Sequence, residues 1–461
     1  MQISHLAAPH SSFRDIYNLK NDEGRGRLIS LGSAVMTAVY NVFITGIFYT
    51  GFLSMYGISI TGVGIVSFIP YIANCFSVFS PALLGRFKRR KGILLASKIF
   101  FYALYIIATT LMPQFVKGPD ARLAWFIGIL FVAYSVYALF CPGITTWFYC
   151  FYPKDEEQRT RFIVLNQTLS SVASSIVLLL SGILTDAAAG TALQNKLILG
   201  FRYAAFLLVL IDVGMQALAR EYDYVETPRL RLKEVFTLPF RYRKFLLCMV
   251  LMFVWNYIGN LNNGLWNYHL LNHLHFSYTL INAISMAYSI ILVCTGPFWQ
   301  RMLKRYSWIK TFGISILLFM PTEFFMFCLT PGTEVTYALT ALTQQFCSVG
   351  INFAYANILY MNLPSEDSTA HISFNTIGCN LFAFLGMITG TYVSALTGDT
   401  TVPFLGMDVY SVQYTTLMRA AGLSAMGILL VLFWKKLTPD HEIPHLEEQA
   451  ELARIRRSRR M

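Results

Sequence analysis

Charge is what this sequence has least of: 13% of its 461 residues are Asp, Glu, Lys or Arg, against 55% hydrophobic and 15% aromatic, with a mean hydropathy of +0.52. A chain of that composition holds more apolar surface than a water-soluble domain of its length can bury, which excludes a soluble protein. Long polar stretches are scarce as well. The longest internal one runs only from Arg220 to Arg243, leaving no room for a soluble domain between hydrophobic segments. A GxxxxGK[ST] phosphate loop is missing, so nothing in the chain points to ATP-driven work. The eight cysteines (75, 141, 150, 248, 294, 328, 347 and 379) show no CxxC spacing and no pair in outer loops. They indicate neither a disulfide framework nor a thiolate metal site, and no metal or other cofactor is expected. The first 27 residues contain no apolar run of the signal-peptide kind, so the first hydrophobic segment is expected to be the insertion signal.

What the chain does have is apolar runs of the length that crosses a bilayer, about 20 residues each. Twelve are expected, near 28–54, 61–84, 93–115, 122–150, 162–187, 197–219, 244–271, 279–300, 309–329, 335–361, 370–398 and 412–436. The fold class is therefore an all-α, multi-pass membrane protein. Lys and Arg are distributed unevenly among the loops. With the N-terminus inside, 30 of the 36 fall on inside segments, while the outer loops hold only Lys117, Arg122 and Lys196. That asymmetry predicts both termini in the cytoplasm, an even number of spans and a plasma-membrane setting. The net charge of +12 is thus explained by topology, with no continuous basic face for nucleic acid.

The spans form a repeat. Shifting by 216 residues superposes SPALLGRFKRRKGILL from Ser80 on GPFWQRMLKRYSWIK from Gly296, placing Pro81 on Pro297, Lys88 on Lys304 and Arg89 on Arg305. A shift of 211 superposes Pro153 on Pro364 and the pair Asp155, Glu156 on Glu366, Asp367. Two matches at nearly one offset imply a duplication, with bundles at 1–219 and 244–436, a linker at 220–243 and a tail at 437–461.

With GRFKRRK between its second and third spans, the chain resembles the major facilitator superfamily, whose hallmark there is G-x-L-A-D-R-x-G-R-R-K. Arg86, Arg89, Arg90 and Lys91 match; Pro81, Gly85 and Lys88 depart, and at Gly85 the usual aspartate is lost. The resemblance implies two pseudo-symmetric six-helix bundles with the first, fourth, seventh and tenth helices lining a central cavity. It also suggests Arg86, Arg89, Arg90, Lys91, Lys304 and Arg305 as gating-loop residues, although the positive-inside rule explains a basic loop equally well.

Polarity agrees with that arrangement. On the seventh span Asn256, Asn260, Asn263 and Asn267 fall within about 60° of one another on a regular helix, a stripe roughly 16 Å long. The tenth carries Gln344 and Tyr355, the first Asn41 and Thr45, the fourth Tyr134. Amides cannot face lipid without losing several kcal/mol each, so they face protein or water. Either they hold helices together or they bind a solute. Ionisable residues within spans (Lys98, Arg202, Asp212, Glu323, Arg419) all lie on helices expected at the periphery, which makes the cavity neutral and leaves Glu323 and Asp212 as candidates for proton or sodium coupling. An uncharged, amide-lined passage suits a small neutral polar solute such as a sugar, glycoside or nucleoside, moved by a symporter or uniporter acting as a monomer. Export of amphipathic, drug-like compounds is the alternative. A membrane-embedded transferase would need a catalytic His or paired carboxylates at a membrane face, where His269 and Asp186 alone are available, so an enzyme is not expected.

Overall fold

A computed structural model of the protein describes residues 20–153, 156–222, 232–363, 368–404 and 406–438. Helices dominate. In chain order they are α1 (Asp22–Met55), α2 (Ile60–Leu84), α3 (Lys91–Phe115), α4 (Pro119–Tyr149), α5 (Glu156–Ala187), α6 (Ala192–Ala217), α7, α8 (Tyr278–Tyr306), α9 (Trp308–Phe327), α10 (Glu334–Met361), α11 (Ser368–Ala395) and α12 (Ser411–Leu437). The seventh is in two pieces, α7a (Arg243–Gly259) and α7b (Leu265–Tyr268), the second running on into a π-helical turn, His269–His273. Ten of the described helices are long and apolar enough to cross a membrane. The remaining two expected crossings are α7, which is broken, and the polar-rich α10. The second pair of repeat motifs, around 154–155 and 364–367, lies outside the described residues.

Local chemistry sets the helix ends. Ser59 and Ser277 cap α2 and α8, accepting from Gly62 N and Leu280 N, and α4 starts on Pro119 after Gly118 at φ +89°. Pro70, Pro142, Pro297 and Pro321 all sit inside helices, where each removes a backbone bond and permits a bend. One element departs from the expected all-helical plan: a short antiparallel hairpin between α11 and α12, with β1 (Thr401–Phe404) pairing β2 (Met407–Tyr410) from Thr401↔Tyr410 inward.

Two cores mark two bundles. Tyr40, Phe52, Phe101, Tyr105 and Phe126 belong to a core built from α1 to α4 and α6, joined from the other bundle by Leu265 and Tyr268 of α7b and Val412 of α12, whereas Phe245, Met249, Phe312, Ile316 and Ile358 belong to one built from α7a, α9, α10 and α12 with Leu303 of α8, against which Phe374 and Phe382 of α11 pack. Across the seam α2 packs on α11 and α5 on α8. A third cluster, including Ile47, Phe48, Leu270, Phe276, Tyr278 and Ile284, joins α1 to α7 and α8 near the face away from the termini, here called the distal face. The face carrying the basic loops, the terminal face, is tied within each bundle: Arg27 Nε donates to Phe151 O and Trp147 Nε1 to Arg220 O in one, Asn362 Nδ2 to Leu437 O in the other.

Small residues decide the closest approach. A side chain at Gly390 of α11 would lie 1.5 Å from the carbonyl oxygen of Leu261, and one at Gly386 2.2 Å from that of Tyr257. The glycines of α11 therefore admit the backbone of α7 just where α7 unwinds.

Candidate functional site

Both helices that open a bundle are broken, and at corresponding points of the repeat. In α1 the helix stops at Ile44, Thr45 is extended (φ −126°, ψ 178°), and the chain resumes at Gly46 with φ +59°. In α7 it stops at Gly259 and resumes after Gly264, at φ +79°. Thr45 shifted by the 216-residue repeat falls at Leu261, inside the second break. Unwinding frees backbone groups that a continuous helix would consume, and such irregular backbone is tolerated at membrane depth only where protein or water satisfies it.

The breaks redistribute the amides. On a regular helix the four asparagines of the seventh span would form one stripe; with the turn unwound, Asn256 turns to α10, Asn260 and Asn263 share Tyr71 of α2, and Asn267 lines a cavity. Asn256 donates to Met252 O (2.8 Å) and to the hydroxyl of Tyr355 on α10 (2.7 Å). Asn260 donates to Asn256 O (2.8 Å), and its Oδ1 accepts from Tyr71 of α2 (3.0 Å) and from Asn263 (3.0 Å). Asn263 also donates to the Tyr71 hydroxyl (3.0 Å) and remains exposed. Thus Asn256 and Tyr355 tie helices, Asn260 ties the two bundles, and Asn263 and Asn267 line a cavity of about 210 Å³ together with Asn262, Trp266, Gln344 and Thr416.

Elsewhere the sequence candidates are dispersed. At the α1 break, Asn41 O accepts from the backbone N (3.0 Å) and hydroxyl (2.7 Å) of Thr45, which is exposed. Tyr134 packs edge-on against Phe101 and Tyr105, centroids 5.3 and 5.6 Å away, in the aromatic core of the first bundle.

The expectation of an uncharged cavity requires correction. Glu323 of α9 and Arg419 of α12 both line it, joined at 3.2 Å, and Arg419 NH1 donates to Asn262 Oδ1 in the unwound turn (3.1 Å). The reason is the break itself: where α7 unwinds it no longer screens the helices behind it. Glu323 Oε2 and Arg419 Nε have no partner among the described residues, and Gln344 Nε2 reaches Glu323 Oε1 at 3.5 Å. Asp212 lies in a different setting. It is fully buried among Lys98 (2.7 Å), Gln216 (3.1 Å) and Tyr40 (3.4 Å), within the first bundle.

At the terminal face, the backbone N–H groups of Arg90 and Lys91 both donate to Glu221 Oε1 (2.6 and 2.9 Å), and Lys91 Nζ donates to Ala219 O (2.8 Å). Glu221, from beyond α6, provides the carboxylate contact that Gly85 does not. Arg86 and Arg89 are exposed, Arg305 lies over the Tyr306 ring, and the side chain of Lys304 is outside the described residues. Sequence reasoning missed Tyr71, Asn262 and Arg419 as members of this region. The one local signal for Tyr71 is its place directly after Pro70.

Residues 245–460 match the sequence model of the Major Facilitator Superfamily. No curated protein matches the sequence. Among solved structures, the nucleoside transporter NupG is 15% identical and aligns over 90% of this chain and 99% of its own with a TM-score of 0.59, and a variant of it reaches 0.64. A D-xylose-proton symporter is 13% identical, covering 90% of this chain and 97% of its own at TM-score 0.57. A peptide transporter bound to sulfate is 10% identical, over 90% and 95%, at 0.61. At these identities the likeness speaks to fold. The C-terminal half of the chain thus carries the sequence pattern of the Major Facilitator Superfamily, and the chain as a whole has that superfamily's fold.

Proposed function

We propose that this protein is an alternating-access transporter of a small neutral polar solute of the nucleoside, sugar or glycoside kind. The observation that carries the reading is the pair of helix breaks at Thr45 and at Gly259–Gly264, equivalent under the repeat, the second of which opens onto a cavity lined with amides. Solute hydroxyls or ring nitrogens would exchange hydrogen bonds with Asn263, Asn267 and Gln344, with the Trp266 ring as an apolar surface beside them. The structural neighbours include transporters of a nucleoside and of a pentose, which agrees with this chemistry. Glu323, a carboxylate lining the cavity with one oxygen unpartnered among the described residues, is the coupling group in this reading; Asp212, bonded to Lys98, Gln216 and Tyr40 and absent from the cavity lining, is structural. The basic loops support a cytoplasmic terminal face in this reading, with bundles 1–219 and 244–436 rocking about the 220–243 linker.

Uptake of a solute library into proteoliposomes, with and without a proton gradient, tests the reading. Saturable flux that Asn263→Ala and Gln344→Ala both weaken supports it, and undiminished flux in both variants removes the cavity from the mechanism.

A further inference from the structure

At the distal end of α5 the carboxylate of Asp186 reaches across the seam into the other bundle. Its Oδ1 accepts from Tyr278 N (2.9 Å) and its Oδ2 from Thr279 N (2.6 Å), the first two backbone donors of α8. Those donors have no partner within their own helix, and the helix dipole favours an anion there. Two further contacts make the seam close. Asn282 Nδ2 donates to Leu178 O (3.0 Å), and at Gly182 an added side chain would stand 3.3 Å from the backbone of Thr279.

The corresponding seam between α2 and α11 is built differently. A shift of 213 residues, within the range of the repeat, carries Asp186 onto Asp399 at the distal end of α11. Asp399 does not cross the seam. It pairs with His273 Nε2 (3.0 Å) in its own bundle, and the first turn of α2 is served by its own Ser59 (3.3 Å). Apolar contacts hold that seam instead, with Phe68 and Phe384 edge to face at 5.2 Å.

We propose that Asp186 is the gate residue of the distal face: a single carboxylate that must release the start of α8 whenever the bundles part on that side. A cleft of about 660 Å³ beside it, lined by Gln194, Asn195, Asn272 and Ser54, gives water access to the carboxylate and to the two N–H groups it releases. Opening therefore exchanges charged hydrogen bonds for hydration, at modest cost, and the bond pair biases the closed state without locking it. Asp186 is a positioning residue, acting on the bundle equilibrium rather than on solute.

This inference rests on the alternating-access reading, and its test reads conformation rather than flux, so the two fail separately. An Asn263→Cys reporter is labelled with a membrane-impermeant maleimide applied from either face, counting only labelling in excess of the parent chain with its eight cysteines. In Asp186→Ala, labelling from the distal face should rise about tenfold while labelling from the terminal face falls, and Asp186→Asn should lie between Ala and the unaltered chain. Asp186→Glu, which keeps the carboxylate, should restore most of the original ratio. Rates unchanged in both Ala and Asn variants would overturn the proposal, and so would a rise from both faces together, since that reports loosening rather than a shift between two states.

Discussion

The two bundles bury their charges in opposite ways. In the first, Lys98 and Asp212 meet at 2.7 Å with Gln216 and Tyr40 completing the carboxylate's partners, and the pair is sealed in the core. Arg202, likewise fully buried, is held by Thr109 and Thr110 hydroxyls and the Tyr105 carbonyl, with Phe52 3.9 Å from its guanidinium. A shift of 217 residues places Arg202 on Arg419, so both bundles put an arginine at the same point of their last helix. Arg419 instead meets a carboxylate, Glu323, that lines a cavity and has one oxygen without a partner among the described residues. What separates them is the helix in front. The α1 break is one residue wide and α1 still covers Arg202, whereas α7 is unwound from Gly259 to Gly264 and leaves its arginine in reach of the cavity. Equivalent positions in a duplicated fold are thus sealed in the core of one copy and open to a cavity in the other, depending on how far a neighbouring helix is unwound.

The largest effect expected from this contrast is in the sealed pair. Lys98→Met should leave Asp212 buried without its cation and cost about 3–5 kcal/mol, read as loss of folded protein in a detergent melt. The double variant Lys98→Met, Asp212→Leu should recover much of that, and failure to recover would mean that the pair does more than balance charge. Glu323→Gln tests the open pair: the fold should persist while gradient-driven accumulation falls to the level of downhill exchange. Accumulation that survives in Glu323→Gln but fails in Asp212→Asn would reverse the assignment of the two bundles. Gly390→Val strikes the packing that accommodates the unwound turn and should cost about 1–3 kcal/mol in thermal stability, because the added carbons meet a carbonyl rather than a movable side chain. Asn263→Ala should leave stability nearly unchanged and weaken solute affinity about tenfold, measured by ligand-induced shifts in melting, since one cavity hydrogen bond is lost. Smallest is Arg89→Ala on the exposed loop, expected within about 0.5 kcal/mol of the unaltered chain, whereas Glu221→Ala, which frees two backbone donors, should exceed it.

Much of the architecture was legible locally. Twenty-residue apolar runs, basic residues gathered in alternate loops on one side and Pro81 recurring at Pro297 follow from hydropathy, charge and offset, none of which needs coordinates. The candidate site was legible in part. Asn263, Asn267 and Gln344 could be picked out as polar groups that lipid would not tolerate, but a 100° helical wheel treats α7 as continuous. Nothing in WNYIGNLNNGLWNYH states that the turn between its two internal glycines unwinds; the glycines permit it, and the backbone of α11 packed through Gly386 and Gly390 stabilises it.

By itself, then, the sequence determined that the chain lives in a bilayer, crosses it repeatedly and repeats itself, because the cost of exposing polar groups to lipid and apolar groups to water acts residue by residue. The tertiary structure alone decided that Tyr71 of α2 would bond Asn260 and Asn263, that Glu323 and Arg419 from two outlying helices would reach the cavity, and that Asp186 would cap a helix 92 residues further along. Those contacts depend on which helices meet and at what depth, and packing of the whole molecule settles that, not the local pattern of any one segment.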